Sequence, residues 1–285
     1  MTARLFHGDC LQVMKDLSAN SIDCFICDLP YGCLTGGGGQ EKRKQKNIGK
    51  AASDKKLWGG TPGGVMGVEW DIPIDLEAFW KEVKRLAKDE HTPVLMFCTT
   101  KFGYELIKSN EKWFRYDLVW DKQRGVSFLS ANKMPMRSHE MVYVFSKAGA
   151  HYNRVDISGN FPKGGGGGET NGVNVYGNHK RLKHITEAGR RCVKSVIQST
   201  EKDTKIPGKH PTEKPISIYR WLIERYCPAN GTVLDPTAGS FNSVAAAMAL
   251  NRNAIGIEKN AGFFEKAQKR FAPPINSIVE VDVPG

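Results

Sequence analysis

Asp28-Leu29-Pro30-Tyr31-Gly32 closes a short apolar run, Ser21 to Cys27, that reads as a buried strand. A strand that stops at a carboxylate, a proline and an aromatic ring puts polar chemistry on the carboxyl edge of a sheet, where open α/β sheets bind their ligands. Asp28 can accept hydrogen bonds and the Leu29 carbonyl is a second acceptor. Pro30 stiffens the backbone and donates nothing, while Tyr31 offers a flat face for stacking. Two acceptors beside an aromatic face suit a planar ring carrying an exocyclic amine. In adenine or cytosine that amine is a poor nucleophile, because its lone pair is delocalised into the ring. Acceptors on its two hydrogens favour pyramidal geometry, return the lone pair to nitrogen and stabilise the positive charge that develops during attack. No covalent intermediate is required. Taken alone, the tetrapeptide also fits an ordinary strand-ending turn.

A second stretch about 200 residues downstream narrows the choice. Gly231 to Asp235 reads as a strand, Pro236-Thr237-Ala238-Gly239-Ser240 as a tight small-residue turn, and the Ala-rich run through Leu250 as a helix. Small residues let a ligand approach the backbone, and a helix amino terminus supplies unpaired N–H groups. Asn253 to Glu258 is a further strand ending in an acid, followed by Lys259, where a ribose diol sits in a doubly wound fold. A generic nucleotide turn, including one for NAD, has this outline, but the spacing is not Gly-x-Gly-x-x-Gly. A third stretch, His210-Pro211-Thr212-Glu213-Lys214-Pro215, precedes an amphipathic helix.

Together these stretches resemble the amino-group DNA methyltransferases. Their catalytic motif is Asp/Asn/Ser-Pro-Pro-Tyr/Phe, their S-adenosylmethionine motif is similar to Asp235 to Ser240, and their "HPTxKP" element matches His210 to Pro215. Leu29 stands where the pattern has a second proline, Phe241 where it has a second glycine, and Asn242 and Ser243 where it has threonines. The resemblance implies catalytic roles for Asp28, Leu29, Pro30 and Tyr31. It implies cofactor contacts for Asp9 and Cys10 after the first strand, for Asp28, for His210, Thr212 and Lys214 near the amino-acid end, for Asp235, Pro236, Thr237, Ala238, Gly239 and Ser240, and for Glu258 and Lys259. Asp9 also reads as a helix N-cap, and both roles are compatible. The catalytic motif precedes the cofactor motif, the family's β arrangement.

The implied fold is α/β: a mainly parallel doubly wound sheet of the S-adenosylmethionine-dependent methyltransferase type, with an antiparallel strand pair and an inserted target-recognition segment. Residues 1–147 would form the catalytic half, with 33–67 a mobile Gly/Lys-rich loop; 148–209 the recognition segment; and 210–285 the cofactor half. The implied activity is methylation of N6 of adenine in a flipped-out base of duplex DNA. N4-cytosine methylation is the alternative, although the family's cytosine enzymes more often begin the motif with serine. RNA or protein-amide methylation is weaker, since those enzymes commonly begin with Asn. A DNA-binding regulator keeping a degenerate fold is the reading that Phe241 favours. Homodimers occur in the family and have no signature here. The compact frame also resembles stand-alone enzymes of phages and mobile elements.

Charge supports a polyanionic partner. The formal net charge is +11; residues 41–56 carry a net +5 and residues 163–209 a net +6, so two glycine-rich stretches hold the whole excess. Lys42, Arg43 and Lys44 in the first, and Asn178, His179, Lys180, Arg181, Lys183, Arg190 and Arg191 in the second, are candidate DNA contacts. Lysines and arginines can neutralise phosphates, whereas Asn, Arg and Tyr can reach base edges. The bland alternative is a pair of solvated loops. Seven scattered cysteines, with one Cys24-x-x-Cys27 and no nearby histidine, point to core packing and to no metal site. No apolar run approaches the roughly 18 residues of a membrane span and the start has no secretory pattern. A cytoplasmic location in a bacterial cell or a phage-infected host is expected.

Strands are expected at Thr2–Phe6, Pro93–Cys98, Tyr116–Trp120, Met141–Phe145 and near Ile278–Val281. Helices are expected at Leu11–Leu17, Ile74–Ala87, Phe102–Asn110 and Asn260–Phe271. Lys122 to His139, between two of those strands, is basic and polar, and fits either the base pocket or a DNA groove.

Overall fold

In the computed structural model, residues 1–31, 73–126, 128–160, 162, 188–198, 213–271 and 279–282 are described. The strands are β1 (Ala3–His7), β2 (Cys24–Cys27), β3 (Val94–Cys98), β4 (Phe114–Val126), β5 (Arg137–Phe145), β6 (Ile157–Ser158), β7 (Arg190–Arg191), β8 (Val196–Gln198), β9 (Thr232–Asp235), β10 (Asn253–Glu258) and β11 (Val279–Asp282). The helices are α1 (Cys10–Asp16), α2 (Leu76–Leu86), α3 (Thr100–Ser109), α4 (Ile216–Tyr226), α5 (Asn242–Ala249) and α6 (Ala261–Phe271). Nine strands form one sheet in the order β11-β1-β10-β9-β2-β3-β5-β4-β8, and β6 and β7 form a separate ribbon. Within the large sheet β5 alone runs against its neighbours, antiparallel to both β3 and β4.

Both faces of the sheet are covered, which is why its central strands are apolar at every position. Along β2, Cys24 and Ile26 enter the core under α4, α5 and α6, while Phe25 and Cys27 enter the core under α1, α2 and α3. The two-residue period therefore sends Cys24 and Cys27 to opposite faces, where they cannot share an ion. Among the described residues no three His, Cys, Asp or Glu side chains gather as a metal site. Nor is any described helix long and apolar enough to cross a membrane.

Local signals set the element ends. Asp75 caps α2 by accepting from the amides of Glu77 and Ala78, Lys84 and Arg85 occupy its last turn, and Phe79, Trp80, Val83 and Leu86 are buried. Asp23 stitches β2 to β9 by accepting from the Thr232 amide at 2.8 Å, and pairs with Lys88 at 2.8 Å.

Two features depart from the sequence expectation. The antiparallel hairpin is longer than Tyr116–Trp120 and Met141–Phe145, because β4 continues to Val126 and β5 starts at Arg137. That extension overhangs the sheet edge and faces no core, so it lacks the apolar alternation that would have announced it. The stretch 148–209, for which no strand was expected, contains β8, which pairs parallel to β4 through Val119↔Val196 and Trp120↔Ile197. A strand this short carries too little pattern to read. The region expected as a loop at 33–67 lies outside the described residues.

Candidate active site

Four parallel strands end side by side at the carboxyl edge of the sheet. β2 pairs with β9 through Cys24↔Val233 and Phe25↔Leu234, β9 pairs with β10, and β10 pairs with β1 through His7↔Glu258. Asp28, Asp235, Glu258 and the Gly8-Asp9 turn consequently share one rim, although Asp28 and Asp235 are 207 positions apart in the chain. Neighbouring strands lie about 4.8 Å apart, so the Asp28–Tyr31 stretch and the Asp235–Ser240 turn face each other across a single crevice.

Asp28 is held by two side chains. Tyr31 donates its hydroxyl to Asp28 Oδ1 at 2.7 Å, and Lys214 donates its ammonium to Oδ2 at 2.6 Å. The Tyr31 ring stacks on Phe102 with centroids 5.0 Å apart. Lys214, only 6 % exposed, also lies 3.4 Å from Glu140 Oε2 and 5.3 Å from the centre of the Phe97 ring. Lys122 pairs with the other oxygen of Glu140 and sits over the Trp120 ring. The result is an alternating string of charges, Asp28, Lys214, Glu140, Lys122, running from the crevice up the root of the β4–β5 hairpin.

That string sets the protonation states. Burial works against the charged form of Lys214, but Asp28 and Glu140 outweigh it and hold the ammonium above its ordinary range. Burial likewise pushes Glu140 up, while Lys214 and Lys122 pull it below the usual carboxylate range. Burial, reinforced by the Asp28 charge, drives the Tyr31 phenol far upward, so it stays a donor.

The side of the crevice formed by β9 and β10 is built differently. Asp235 is 1 % exposed, with one oxygen taking the Thr237 amide at 3.0 Å and the other the Ser243 hydroxyl at 2.5 Å. Burial raises its carboxyl from 3.8 to about 7, against those two hydrogen bonds and with help from the charges of Asp28 and Glu258. Glu258 accepts the amides of Gly239 at 2.8 Å and Asn260 at 2.7 Å, and burial raises its pKa. Gly239 needs its positive φ of 52° to turn that amide toward Glu258.

Phe241 also has a left-handed backbone, φ 58°, at the start of α5, where glycine is the unstrained choice. Its ring is completely buried, and a Cβ on Gly256 would lie 2.7 Å from it. The glycine missing from the turn is thus matched by one opposite it, on β10. The ring fills the core between α5, α6 and the sheet, which removes the reason for reading this turn as degenerate.

The other expected site residues divide clearly. Asp9 caps α1 through the Leu11 amide at 3.0 Å and meets the Lys259 ammonium at 3.1 Å, with Cys10 buried beneath and its thiol pushed up to about 12 by burial. Leu29 is buried. Arg190 and Arg191 form β7, paired with Ile157–Ser158. Lys42, Arg43, Lys44, Asn178, His179, Lys180, Arg181, Lys183, His210 and Thr212 lie outside the described residues. Several participants had no sequence signal. Glu140 is one charge in an otherwise ordinary strand. Asn242, which donates to Glu213 at 2.7 Å and to the Lys214 carbonyl at 2.9 Å, ties the third motif to the glycine turn. Arg270 donates to the Ser240 carbonyl at 2.9 Å and to Asn242 at 2.8 Å from a helix 30 residues away. The only cue was at Asn242, where a polar side chain replaces a patterned threonine.

A doubly wound sheet with a nucleotide-type turn on one strand and an Asp-x-Pro-Tyr carboxylate on the next defines the amino-methylating class of enzymes. Residues 22–269 match the family model described as DNA methylase, and the chain belongs to that family. It is 37 % identical over 272 residues to the Type II methyltransferase M2.MboI of Moraxella bovis, an alignment covering 94 % of this chain and 86 % of that one. It is 25 % identical over 284 residues to the DNA adenine methyltransferase YhdJ of Escherichia coli K12, covering 93 % and 81 %. Its fold is similar to that in the crystal structure of the M1.HpyAVI–SAM complex, with a TM-score of 0.55 at 19 % identity, covering 95 % of this chain and all of that one.

Proposed function

We propose that this DNA methyltransferase transfers the methyl group of S-adenosylmethionine to N6 of adenine in a base turned out of duplex DNA. The observation that carries the reading is the shared rim: the Asp28 carboxylate and the Gly239 turn end adjacent parallel strands. The name of the Escherichia coli relative and the aspartate at the first motif position both favour adenine over the N4 amine of cytosine.

The rim fits the cofactor. Glu258 accepts two amides and has lone pairs left for a ribose diol, and the buried Thr237 hydroxyl has no hydrogen-bond partner among the described residues. Gly239, Glu258 and the Asp9–Lys259 pair would hold the nucleoside, with Asp235 fixing the turn from below. When bound, the cofactor supplies an electrophilic methyl on a sulfonium.

The remaining work falls to the protein. The amine is paired inside a duplex, so the base must turn out, at a cost of a few kcal/mol. Tyr31 has one ring face on Phe102 and offers the other to the base. Asp28 and the Leu29 carbonyl accept the two amine hydrogens, localise the lone pair and stabilise the positive charge that grows on nitrogen. For the amine to reach Asp28 one of its present partners must yield. Lys214 has Glu140 at 3.4 Å as a second seat, so it can turn aside without leaving a bare buried charge. Asp28 is then the nearest base for the proton the methylated amine releases.

Residues 1–147 and 210–285 serve in this reading as catalytic and cofactor halves of one domain. Residues 148–209 serve as the recognition segment, which β8 anchors to the sheet and in which Arg190 and Arg191 contact DNA. The test is transfer of a labelled methyl from S-adenosylmethionine to unmethylated genomic DNA, followed by nucleoside analysis and mapping of the site. N6-methyladenine is expected. N4-methylcytosine would move the reading to the alternative base, and no labelled nucleoside would overturn it.

A further inference from the structure

The hairpin formed by β4 and β5 does not stop with the rest of the sheet. Cys98, the last residue of β3, pairs with Met141, which pairs with Val119. Beyond that level β4 continues for seven residues to Val126, and β5 approaches from Arg137. At about 3.3 Å per residue the four residues of β5 above Met141 lift the Val126↔Arg137 pair about 13 Å above the carboxyl edge, the longer β4 side being bulged. Its root is the Lys122–Glu140 pair, in contact with Lys214 and through it with Asp28.

The tip is apolar and, among the described residues, uncovered. Phe128 is 79 % exposed and Leu129 87 %, with Met134 and Met136 about half exposed beside them. Such a cluster costs solubility unless something covers it. The flanks indicate what: above the Lys122–Glu140 pair, from Gln123 to His139, there are three Lys/Arg (Arg124, Lys133, Arg137) and no Asp or Glu. A protein core would not be ringed by uncompensated positive charge, whereas a duplex offers stacked bases for the ring and phosphates for the cations. The β4–β5 ladder runs from Tyr116↔Val144 to Asp121↔His139, bulges on the β4 side, and is rejoined by the pair Val126↔Arg137 just below the tip.

We propose that the hairpin tip, led by Phe128 and Leu129, is an intercalating wedge. It enters the duplex beside the target, takes the place the base vacates, and so holds that base in the crevice below, with Arg124 and Lys133 on the flanking phosphates. The inference rests on the base-turning reading above and deepens it. Phe128 and Leu129 touch neither the crevice nor the core, so their replacement leaves fold and cofactor site intact.

The test uses the full chain and the target site mapped by nucleoside analysis, in two duplexes: one with the target base paired, one with an abasic position opposite it. The double variant Phe128→Ser/Leu129→Ser is expected to methylate the paired duplex roughly tenfold more slowly than the unaltered protein. On the abasic duplex, where the base leaves the stack easily, the deficit is expected to shrink to within about twofold. An equal deficit on both duplexes, or none on either, overturns the wedge. So does a variant that methylates both normally and differs only in self-association by sedimentation, which would give the patch to a second copy of the chain. Transfer by the unaltered protein on the paired duplex checks the base-turning reading separately. Lys133→Ala, a flank variant, is expected to reduce the slope of log affinity against log salt by about 0.9.

Discussion

Asp28 and Asp235 close neighbouring parallel strands, Asp28 two residues further along than Asp235, and their surroundings could hardly differ more. Asp235 is tied to a backbone amide and a serine hydroxyl on the next helix, groups that have nowhere else to go. Asp28 is tied to Tyr31 and Lys214, side chains that can swing, one of which has Glu140 waiting as an alternative partner. The first carboxylate is part of the scaffold and the second is part of a device. Position at the end of a strand therefore does not fix a role; the mobility of the hydrogen-bond partners does.

Substitutions on the two sides are expected to separate activity from stability. Lys214→Met removes the cation between Asp28 and Glu140, leaving Asp28 with Tyr31 alone and Glu140 with Lys122. It should cost roughly 3–5 kcal/mol in denaturant unfolding, and should slow methyl transfer more than a stability loss of that size explains. A variant as active as the unaltered protein would show that the ammonium is incidental.

On the other side the effect is on folding. Asp235 holds its proton more tightly folded than unfolded, from 3.8 to about 7, so the folded chain binds the extra proton between pH 4 and 7. The stability this contributes is present below pH 4 and is lost as pH rises through about 7, on the order of 4 kcal/mol in all. Asp235→Asn should flatten that part of the pH profile of unfolding; an unchanged slope would mean that the buried carboxylate is compensated after all.

The Phe241–Gly256 match gives a smaller effect. Gly256→Ala drives a methyl into the ring at 2.7 Å and should cost about 1–3 kcal/mol. Adding Phe241→Gly should cancel part of that cost in a double-mutant cycle, and strict additivity would refute the pairing. Smallest is Glu140→Gln, which keeps the shape and weakens the second seat of Lys214. It should lower kcat by about tenfold, about 1.4 kcal/mol on the barrier, and an unchanged kcat would show that Lys214 needs no second seat.

The legible part of this molecule is the part where local pattern and tertiary role coincide. β2, β3, β9 and β10 are apolar because they are covered on both faces, and the residues that end them are polar because they reach the rim, so strand and site could be read together. The motif order placed Asp28 and Asp235 in one crevice, which pairing of β2 with β9 delivers. What stayed hidden was set by contacts distant in sequence. Glu140 matters only because Lys214, 74 positions on, is folded against it. Arg270 matters because α6 returns over the glycine turn. The hairpin extension and β8 escaped notice because, at a sheet edge, neither hydrophobic alternation nor length survives to announce a strand. Phe241, which looked like damage to a motif, makes sense only with Gly256 across from it.

Whether Asp28 acts on the amine or on the cofactor is tested most directly by measuring transfer rate and S-adenosylmethionine affinity on the same preparation of Asp28→Ala. The account requires a rate loss of about a thousandfold or more with a dissociation constant within about twofold of the unaltered protein. A parallel loss of both would contradict it, since the carboxylate would then belong to the cofactor site with Asp235.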